Sequence, residues 1–276
     1  MITVTMPSEC RSVARAQQKV LYNLFFKSSA AAIQKLALDA RYIGGEIGLI
    51  GILQTWSRPG DYHPHIHYLV PGGGLSPDHK RWLSAKDNFL MPAKPLAILF
   101  KAKFRDALKQ AGLYDQIPKQ VWYKDWVIDI KAVGNGQAVL KYLAPYIFRV
   151  AISNRNIVAL REGMVTFRYK EAESEQMKYR TVSAERFIGL FLQHVLPKGF
   201  IKVRYYGFYT TSKKHLLKIV KELLAMPEKA KKAKSIKPFL CPNCGKAMIV
   251  VKELPAKRGP PLYVMMNRQR IKEIFQ

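Results

Sequence analysis

The sequence predicts an α+β fold in which helices flank an antiparallel β-sheet, followed by a C-terminal α/β extension and a basic tail. Three observations support this prediction. Apolar residues recur at helical spacing in several long segments, and short apolar runs bounded by Gly and Pro lie between them. Two of these runs are joined by a link too short for a parallel crossover. The chain also has 276 residues, 49% of them hydrophobic, which is enough for a sizeable core.

The first half of the chain predicts two helices and one pair of strands. Residues 11–40 have helical periodicity, and Gly44 and Gly45 close that segment. Residues 46–56 and 65–70 are predicted as buried strands, with the turn-rich sequence SRPGDYHP between them, so we expect them to pair antiparallel. Residues 95–111 predict an amphipathic helix.

The second half predicts alternating strands and helices. Residues 120–131 are predicted as a third strand, and GNG at 134–136 as the start of a helix. A hairpin (156–161 and 164–170), a helix (183–195), a strand (200–206) and a helix (211–225) follow. The predicted organisation is an N-terminal helical segment (1–45), a core (46–152), a C-terminal region (153–226) and a basic tail (227–276).

The charge balance predicts a polyanionic partner. The chain has 46 Lys and Arg against 19 Asp and Glu, a net charge of +27, which costs self-repulsion in the folded state. Its apolar runs are shorter than the roughly 20 residues of a membrane-spanning helix, and the first residues lack the pattern of a signal peptide. We therefore expect nucleic acid rather than membrane. Three cysteines, with only Cys241 and Cys244 close in sequence, do not form a disulfide framework and predict a cytoplasmic protein.

Two histidines on one predicted strand point to a metal site. His65 and His67 alternate with Ile66, so both imidazoles project from one face. Neutral imidazole binds divalent metals, and we expect Mg²⁺ or Mn²⁺. Gln54 on the neighbouring strand is the preferred third ligand, with His63 and Asp61 in the connector as weaker alternatives.

The competing interpretation is that these are polar residues on an exposed strand. Four of the six histidines lie within residues 63–79, and this clustering favours the metal site. We expect Gly72, Gly73 and Gly74, which have no side chains, to leave the end of the histidine strand sterically open to a phosphate-bearing backbone.

Two tyrosines in the sequence YLAPY are candidate nucleophiles. Tyr142 and Tyr146 are spaced i, i+4 and share one helix face. A phenol, with a pKa of about 10, is a weak nucleophile until a metal or cation favours the phenolate. Alone, this spacing is typical of ordinary tyrosines at the edge of a core, and Pro145 should kink the helix. The histidine strand is what makes the pair informative.

Longer stretches around these motifs resemble the two-tyrosine HUH (histidine–hydrophobic–histidine) rolling-circle transposases of bacterial insertion sequences. The matching segments are LQTWSRPGDYHPHIHYLVPGGGL, KYLAPYIFRVAISNRNI and, more weakly, FLQHVLPKGFIKVRYYGF. The resemblance implies an HUH-endonuclease-like sheet with 46–152 as the nuclease core. It also implies a metal on His65 and His67, Tyr142 and Tyr146 as nucleophiles, and a single-stranded intermediate. Relatives usually begin with a zinc-binding domain, and the resemblance implies that this sequence starts after it.

Further residues are candidates for secondary roles. Cations mixed with aromatics are typical of single-strand binding surfaces, and the candidates here are Arg149, Arg155, Arg161, Arg168, Arg204 and Tyr205. Cys241 and Cys244 have half the spacing of a zinc knuckle, but no second pair follows, so structural zinc is not expected.

The sequence thus predicts a transposase that nicks and rejoins single-stranded DNA through a 5′-phosphotyrosine. Two alternatives remain open: a replication-initiator nicking protein with the same site, or a catalytically inactive DNA-binding remnant.

Overall fold

The chain divides into two units, Met1–Met226 and Pro227–Gln276. The computed structural model describes residues 1–134, 152–171, 174–226, 240–241, 243–246 and 248. The predicted helix after 134–136, with Tyr142, Tyr146 and Arg149, lies outside the described residues. The strands of all three sheets and the candidate site belong to the first unit.

The chain begins with a strand that the sequence analysis did not predict. β1 (Ile2–Thr5) buries Ile2 and Val4 completely, whereas Thr3 and Thr5 alternate onto its other face. Two helices follow, α1 (Arg11–Ala16) and α2 (Gln18–Ala37). The predicted helical segment is therefore confirmed, with one interruption at Gln17.

The predicted antiparallel pair is present as β2 (Leu49–Trp56) and β3 (Tyr62–Leu69). A tight turn joins the two strands, in which the Ser57 amide donates to the Asp61 carbonyl at 2.9 Å. β3 begins three residues earlier than predicted, because Tyr62 already pairs with Trp56. His63 therefore lies in the strand and not in the connector.

These strands form the centre of a five-stranded sheet. Its order is β10-β2-β3-β1-β6, with β6 at Ile128–Ile130 and β10 at Val203–Tyr206, and every neighbouring pair is antiparallel. α2 packs on one face, where the Tyr68 hydroxyl lies 2.7 Å from Ser29 Oγ. α3 (Ala93–Gln110) packs against α2 through Phe25 and Phe100. The predicted antiparallel sheet flanked by helices is confirmed.

The strand predicted over 120–131 is wrong in its first half. Residues Lys119–Trp122 form a 3-10 turn after Pro118, and only Ile128–Ile130 pairs with β1. The turn is stabilised by aromatic stacking, since the Trp122 and Trp126 rings lie 5.6 Å apart. The apolar run that suggested a strand is used for this packing.

The glycine triplet is also different from the prediction. Gly73 and Gly74 belong to a short strand, β4 (Gly73–Leu75), which pairs with β5 (Trp82–Ser84). A Cβ on Gly73 would lie 2.5 Å from the Leu83 carbonyl oxygen. Gly73 and Gly74 therefore allow close backbone packing and do not leave the end of the histidine strand open. Of the three glycines, only Gly72 faces open space.

A three-stranded antiparallel sheet follows, which we call the second sheet. It contains β7 (Ile157–Arg161), β8 (Met164–Lys170) and β9 (Met177–Ser183), in that order. The hairpin of β7 and β8 was predicted, whereas β9 was not. α4 (Ala184–Leu192), capped by the Ser183 hydroxyl, covers one face through the rings of Phe167 and Phe187. α5 (Lys214–Leu223) confirms the last predicted helix. None of the helices among the described residues is long and apolar enough to cross a membrane.

Candidate metal centre

The two predicted metal-binding histidines share one face of the central strand β3. Their ring centroids are 4.8 Å apart, and His65 and His67 are 9% and 6% exposed. Ile66 between them points to the opposite face and is fully buried in the core shared with α2 and α3. Alternation along the strand therefore brings two imidazoles together on a buried polar face.

Gln54 lies directly across from His65 in the β2–β3 register. The side chain is 9% exposed, and among the described residues no donor forms a hydrogen bond with its Oε1. A buried carbonyl oxygen without a donor costs about 1–3 kcal/mol. A cation bound between Gln54 and the histidines would compensate this cost, so the donor set fits a divalent metal.

Hydrogen bonds orient both imidazoles. His65 Nδ1 donates to the His63 carbonyl at 2.7 Å, which leaves the Nε2 lone pair for a ligand. His67 Nδ1 lies 3.1 Å from the hydroxyl of Thr3, a residue of β1 that stands opposite His67 in the β1–β3 register. Such outer contacts commonly hold metal-binding histidines in place.

Burial keeps both histidines neutral. Desolvation is the main cause that lowers the pKa of His65 to about 3, and the neighbouring His67 adds to it. Desolvation also lowers the pKa of His67 to about 4, against the opposing charge of Asp129. Neutral imidazole is the form that binds a metal.

The two alternative ligands have other partners. His63 projects from the same face, with its ring 5.3 Å from that of His65, but its Nδ1 accepts a hydrogen bond from Arg11 Nη2 at 2.6 Å. Asp61 pairs with Arg180 at 2.9 Å. Within the described ranges no group of three His, Cys, Asp or Glu side chains could hold a metal ion. Gln54, opposite His65, is the candidate for the third ligand in this part of the chain.

Sequence reasoning missed two polar residues of this face. Thr3 pairs with His67 on one side and with Asp129 on the other, so all three side chains lie in one row across the sheet. The alternating sequence ITVT at residues 2–5 was the available indication of β1. Tyr142 and Tyr146, the predicted nucleophiles, are outside the described residues.

The predicted DNA-contact residues divide into two groups. Arg155, Arg161 and Arg168 are exposed on or beside the second sheet. Arg204 is instead half-buried; its guanidinium lies 4.4 Å from the ring centroid of Phe26 and donates to the carbonyl of Ile201 at 3.2 Å. The guanidinium of Arg204 is therefore already engaged within the fold.

Tyr205 and Arg149 are the remaining predicted DNA-contact residues. Tyr205 alternates to the other face of β10 and is 55% exposed. Its ring is therefore accessible from solvent. Arg149 lies in the same undescribed stretch as the tyrosines.

The cysteine pair of the second unit lies in one tight turn. The Gly245 amide donates to the Cys241 carbonyl at 2.9 Å, and Cys241 is half-buried whereas Cys244 is exposed. Backbone amides of Cys244 and Asn243 lower the pKa of the Cys241 thiol. The turn offers two sulfur ligands, half of what a structural zinc needs.

Comparison with known proteins identifies the family. The family model Y2_Tnp, described as "Putative transposase", matches residues 48–215, more than half of the chain, and includes Gln54, His65 and His67. The chain belongs to this transposase family, which confirms the resemblance inferred from its motifs.

Two curated relatives support the same assignment. "Putative transposase y4qJ" of Sinorhizobium fredii is 34% identical over 227 residues, covering 75% of this chain and 57% of the relative. "Transposase for insertion sequence element IS801" of Pseudomonas savastanoi pv. phaseolicola is 26% identical over 272 residues, covering 83% and 64%. The chain thus spans less than two thirds of either relative. No solved structure matches it.

Proposed function

We propose that this chain is a metal-dependent transposase that nicks and rejoins single-stranded DNA through a 5′-phosphotyrosine. Membership of the transposase family supports the reaction class. The observation that carries the metal chemistry is the convergence of Gln54, His65 and His67 on one buried face, with an amide oxygen that lacks a donor among the described residues.

We propose an HUH-type core in which the strands of residues 46–152 are completed by β1 and β10, which lie outside that range. The support is topological: the histidine pair lies on the middle strand of an antiparallel sheet, with helices covering the opposite face. A central strand holds side chains more rigidly than a loop does, which suits a site that must position a phosphate.

Gln54, His65 and His67 would hold Mg²⁺ or Mn²⁺, since two imidazole nitrogens and one amide oxygen leave positions open for phosphate oxygens. The bound ion supplies positive charge that polarises the scissile phosphate. Within the protein, the His63 carbonyl orients the His65 ring, and the Thr3 hydroxyl contacts the His67 ring. These residues hold the ligands in place, and burial keeps the imidazoles unprotonated.

Tyr142 or Tyr146 would act as the nucleophile. The phenol loses its proton, its oxygen forms a bond to phosphorus, and the bond from phosphorus to the 3′ oxygen breaks. The 3′ oxygen takes up a proton and leaves as a free hydroxyl, so the phosphate stays on the enzyme as a 5′-phosphotyrosine. A later 3′-hydroxyl reverses these steps and joins two strands, because the bond energy is retained. Two tyrosines permit two linkages in succession.

Covalent capture of DNA tests this proposal. Incubating the protein with 5′- or 3′-labelled single-stranded DNA and Mn²⁺ should give an adduct on the strand 3′ of the nick, and a chelator should abolish it. The double variant Tyr142→Phe, Tyr146→Phe should form none, whereas Tyr123→Phe, at an 87% exposed tyrosine elsewhere, should behave as the wild type. Peptide mapping of the adduct identifies the tyrosine used.

Two outcomes would contradict it. An adduct that persists in the double tyrosine variant would refute the nucleophile assignment. Normal DNA binding without adduct under any divalent metal would favour the inactive DNA-binding alternative. The replication-initiator alternative shares the chemistry and differs in its DNA, because its gene would lie beside an origin and not between the ends of an element.

A further inference from the structure

The second sheet has one face that no helix described here covers. Its inner face buries Val165, Phe167 and Val182, with Phe167 against α4. The register places alternate residues of the three strands on the opposite side, which we call the outer face. The outer-face residues include Arg161, Met164, Arg168, Met177 and Tyr179.

The cations of this sheet differ in whether they have a carboxylate partner. Lys170 pairs with Glu175 at 3.1 Å, Lys178 with Glu171, and Arg180 with Asp61. By contrast, Arg161 and Arg168 on the outer face have no carboxylate partner among the described residues, nor does Arg155, whose carbonyl lies 3.4 Å from Arg168 Nη2. Lys170 also lies on the outer face but has Glu175 as its partner, so Arg161 and Arg168 are the outer-face arginines left for an external anion.

Apolar and aromatic side chains lie between these arginines. Tyr179 is 63% exposed, and Met177 and Met164 are 50% and 41% exposed. Tyr179 stands directly opposite Arg168 in the β8–β9 register, so the phenol ring and the guanidinium are cross-strand neighbours. An exposed ring beside unpaired cations matches a nucleotide, whose base stacks on the ring while its phosphate meets the cation.

We propose that the outer face of the second sheet binds single-stranded DNA, with Tyr179 as the stacking platform and Arg161 and Arg168 as phosphate contacts. A duplex fits less well, because its base faces are already stacked. The proposal rests on the proposed function in that the bound strand is the DNA on which the transposase acts.

Contacts of the second sheet connect this face to the histidine hairpin. Arg180 of β9 donates to the carbonyl of Pro59 at 2.9 Å, and Arg58 donates to the carbonyl of Glu171 at 2.7 Å. Both contacts hold the turn that joins β2 to β3. His65 and His67 lie on β3. Single-stranded DNA bound to the outer face would therefore lie on the same unit that carries the candidate metal centre.

Equilibrium binding in a chelator tests the proposal apart from catalysis. The probe is a fluorescently labelled, mixed-sequence single-stranded oligonucleotide, and binding is measured by anisotropy at several salt concentrations. Tyr179→Ala should weaken binding about 5- to 100-fold, against no change in Tyr123→Ala. Arg161→Gln with Arg168→Gln should also weaken binding and lower the slope of log affinity against log salt by about 1.4.

The matched charge control is Arg41→Gln with Arg105→Gln, which removes the same charge from arginines that pair with Asp39 and Asp106. Equal losses in the two arginine pairs would mean a general charge effect and would overturn the proposal, as would unchanged binding in Tyr179→Ala. Equal losses for a duplex probe would overturn the preference for single strands. Because no metal is present, these outcomes leave the covalent-adduct test of the proposed function unaffected.

Discussion

Gln54 is the residue whose environment is hardest to explain from the protein alone. Its Oε1 is buried without a donor among the described residues, and it faces His65 across two paired strands. Evolution rarely retains a cost of about 1–3 kcal/mol without a compensating role. Metal ligation is a role that uses the oxygen, its burial and its position together.

We predict that Gln54→Ala lowers the affinity for Mn²⁺ at least about tenfold, because the site loses an oxygen ligand. Gln54→Glu should keep or raise the affinity, since a carboxylate supplies the same oxygen with a negative charge. Isothermal titration calorimetry measures both, and Gln120→Ala, at an exposed glutamine, is the control. If Gln54→Ala bound Mn²⁺ as the wild type does, Gln54 would not be the third ligand.

At the scale of elements, the contact between β2 and the turn after β10 depends on one glycine. Gly207 has φ +58°, and a Cβ there would lie 1.8 Å from the Ile47 carbonyl oxygen. Leu49 pairs with Tyr206, so this close approach holds the start of β2 against the end of β10. Phe208, next in the chain, is buried in a small core with Leu216 of α5.

Gly207→Ala should therefore destabilise the protein by more than about 2 kcal/mol, the sum of left-handed backbone strain and a backbone clash. Gly112→Ala separates the two effects, because Gly112 also has positive φ, at +67°, but open space around it. Urea unfolding monitored by circular dichroism measures the difference. Equal losses in the two variants would show that the clash is relieved at little cost.

The elements that could be predicted are those with a strong local pattern. The helix predicted over 95–111 is present as Ala93–Gln110, and the β2–β3 pair followed from a short turn-rich link. β1 was missed because it has only four residues, and β9 because its residues are almost all exposed and show no apolar alternation.

Strand order was also beyond prediction, because it depends on contacts between distant segments. β1 pairs with β3, so Thr3 reaches His67 across more than sixty residues of sequence. The histidine pair and Gln54 could be found because alternation and adjacency are local rules. By contrast, nothing in the sequence distinguishes Arg204, whose guanidinium is engaged within the fold, from the exposed Arg161.

At the scale of the whole molecule, a net charge of +27 makes the fold sensitive to added protons. Burial holds the pKa of His65 at about 3 and that of His67 at about 4, below the usual value of about 6.5. At pH values between about 4 and 6.5, the two histidines are protonated in the unfolded chain but neutral in the folded protein. Stability is therefore full above pH 6.5 and falls as the pH drops below it.

We predict that the free energy of unfolding, measured with urea in a chelator, decreases by a few kcal/mol from pH 7 to pH 4.5. His67→Gln should reduce this pH dependence, because the unfolded state then binds one proton fewer. His215→Gln, at an exposed histidine on α5, is the control. The same pH dependence in His67→Gln and the wild type would show that His67 is not the source of the acid sensitivity.

The position of β3 in the sheet has a consequence for how the molecule tolerates motion. Two strands lie on each side of it, so β10 and β6 are the strands that can separate first when the sheet opens locally. Amide hydrogens of β3 should then exchange with solvent only on global unfolding. Local opening of the edge strands β10 and β6 therefore leaves the spacing of the two imidazoles on β3 unchanged.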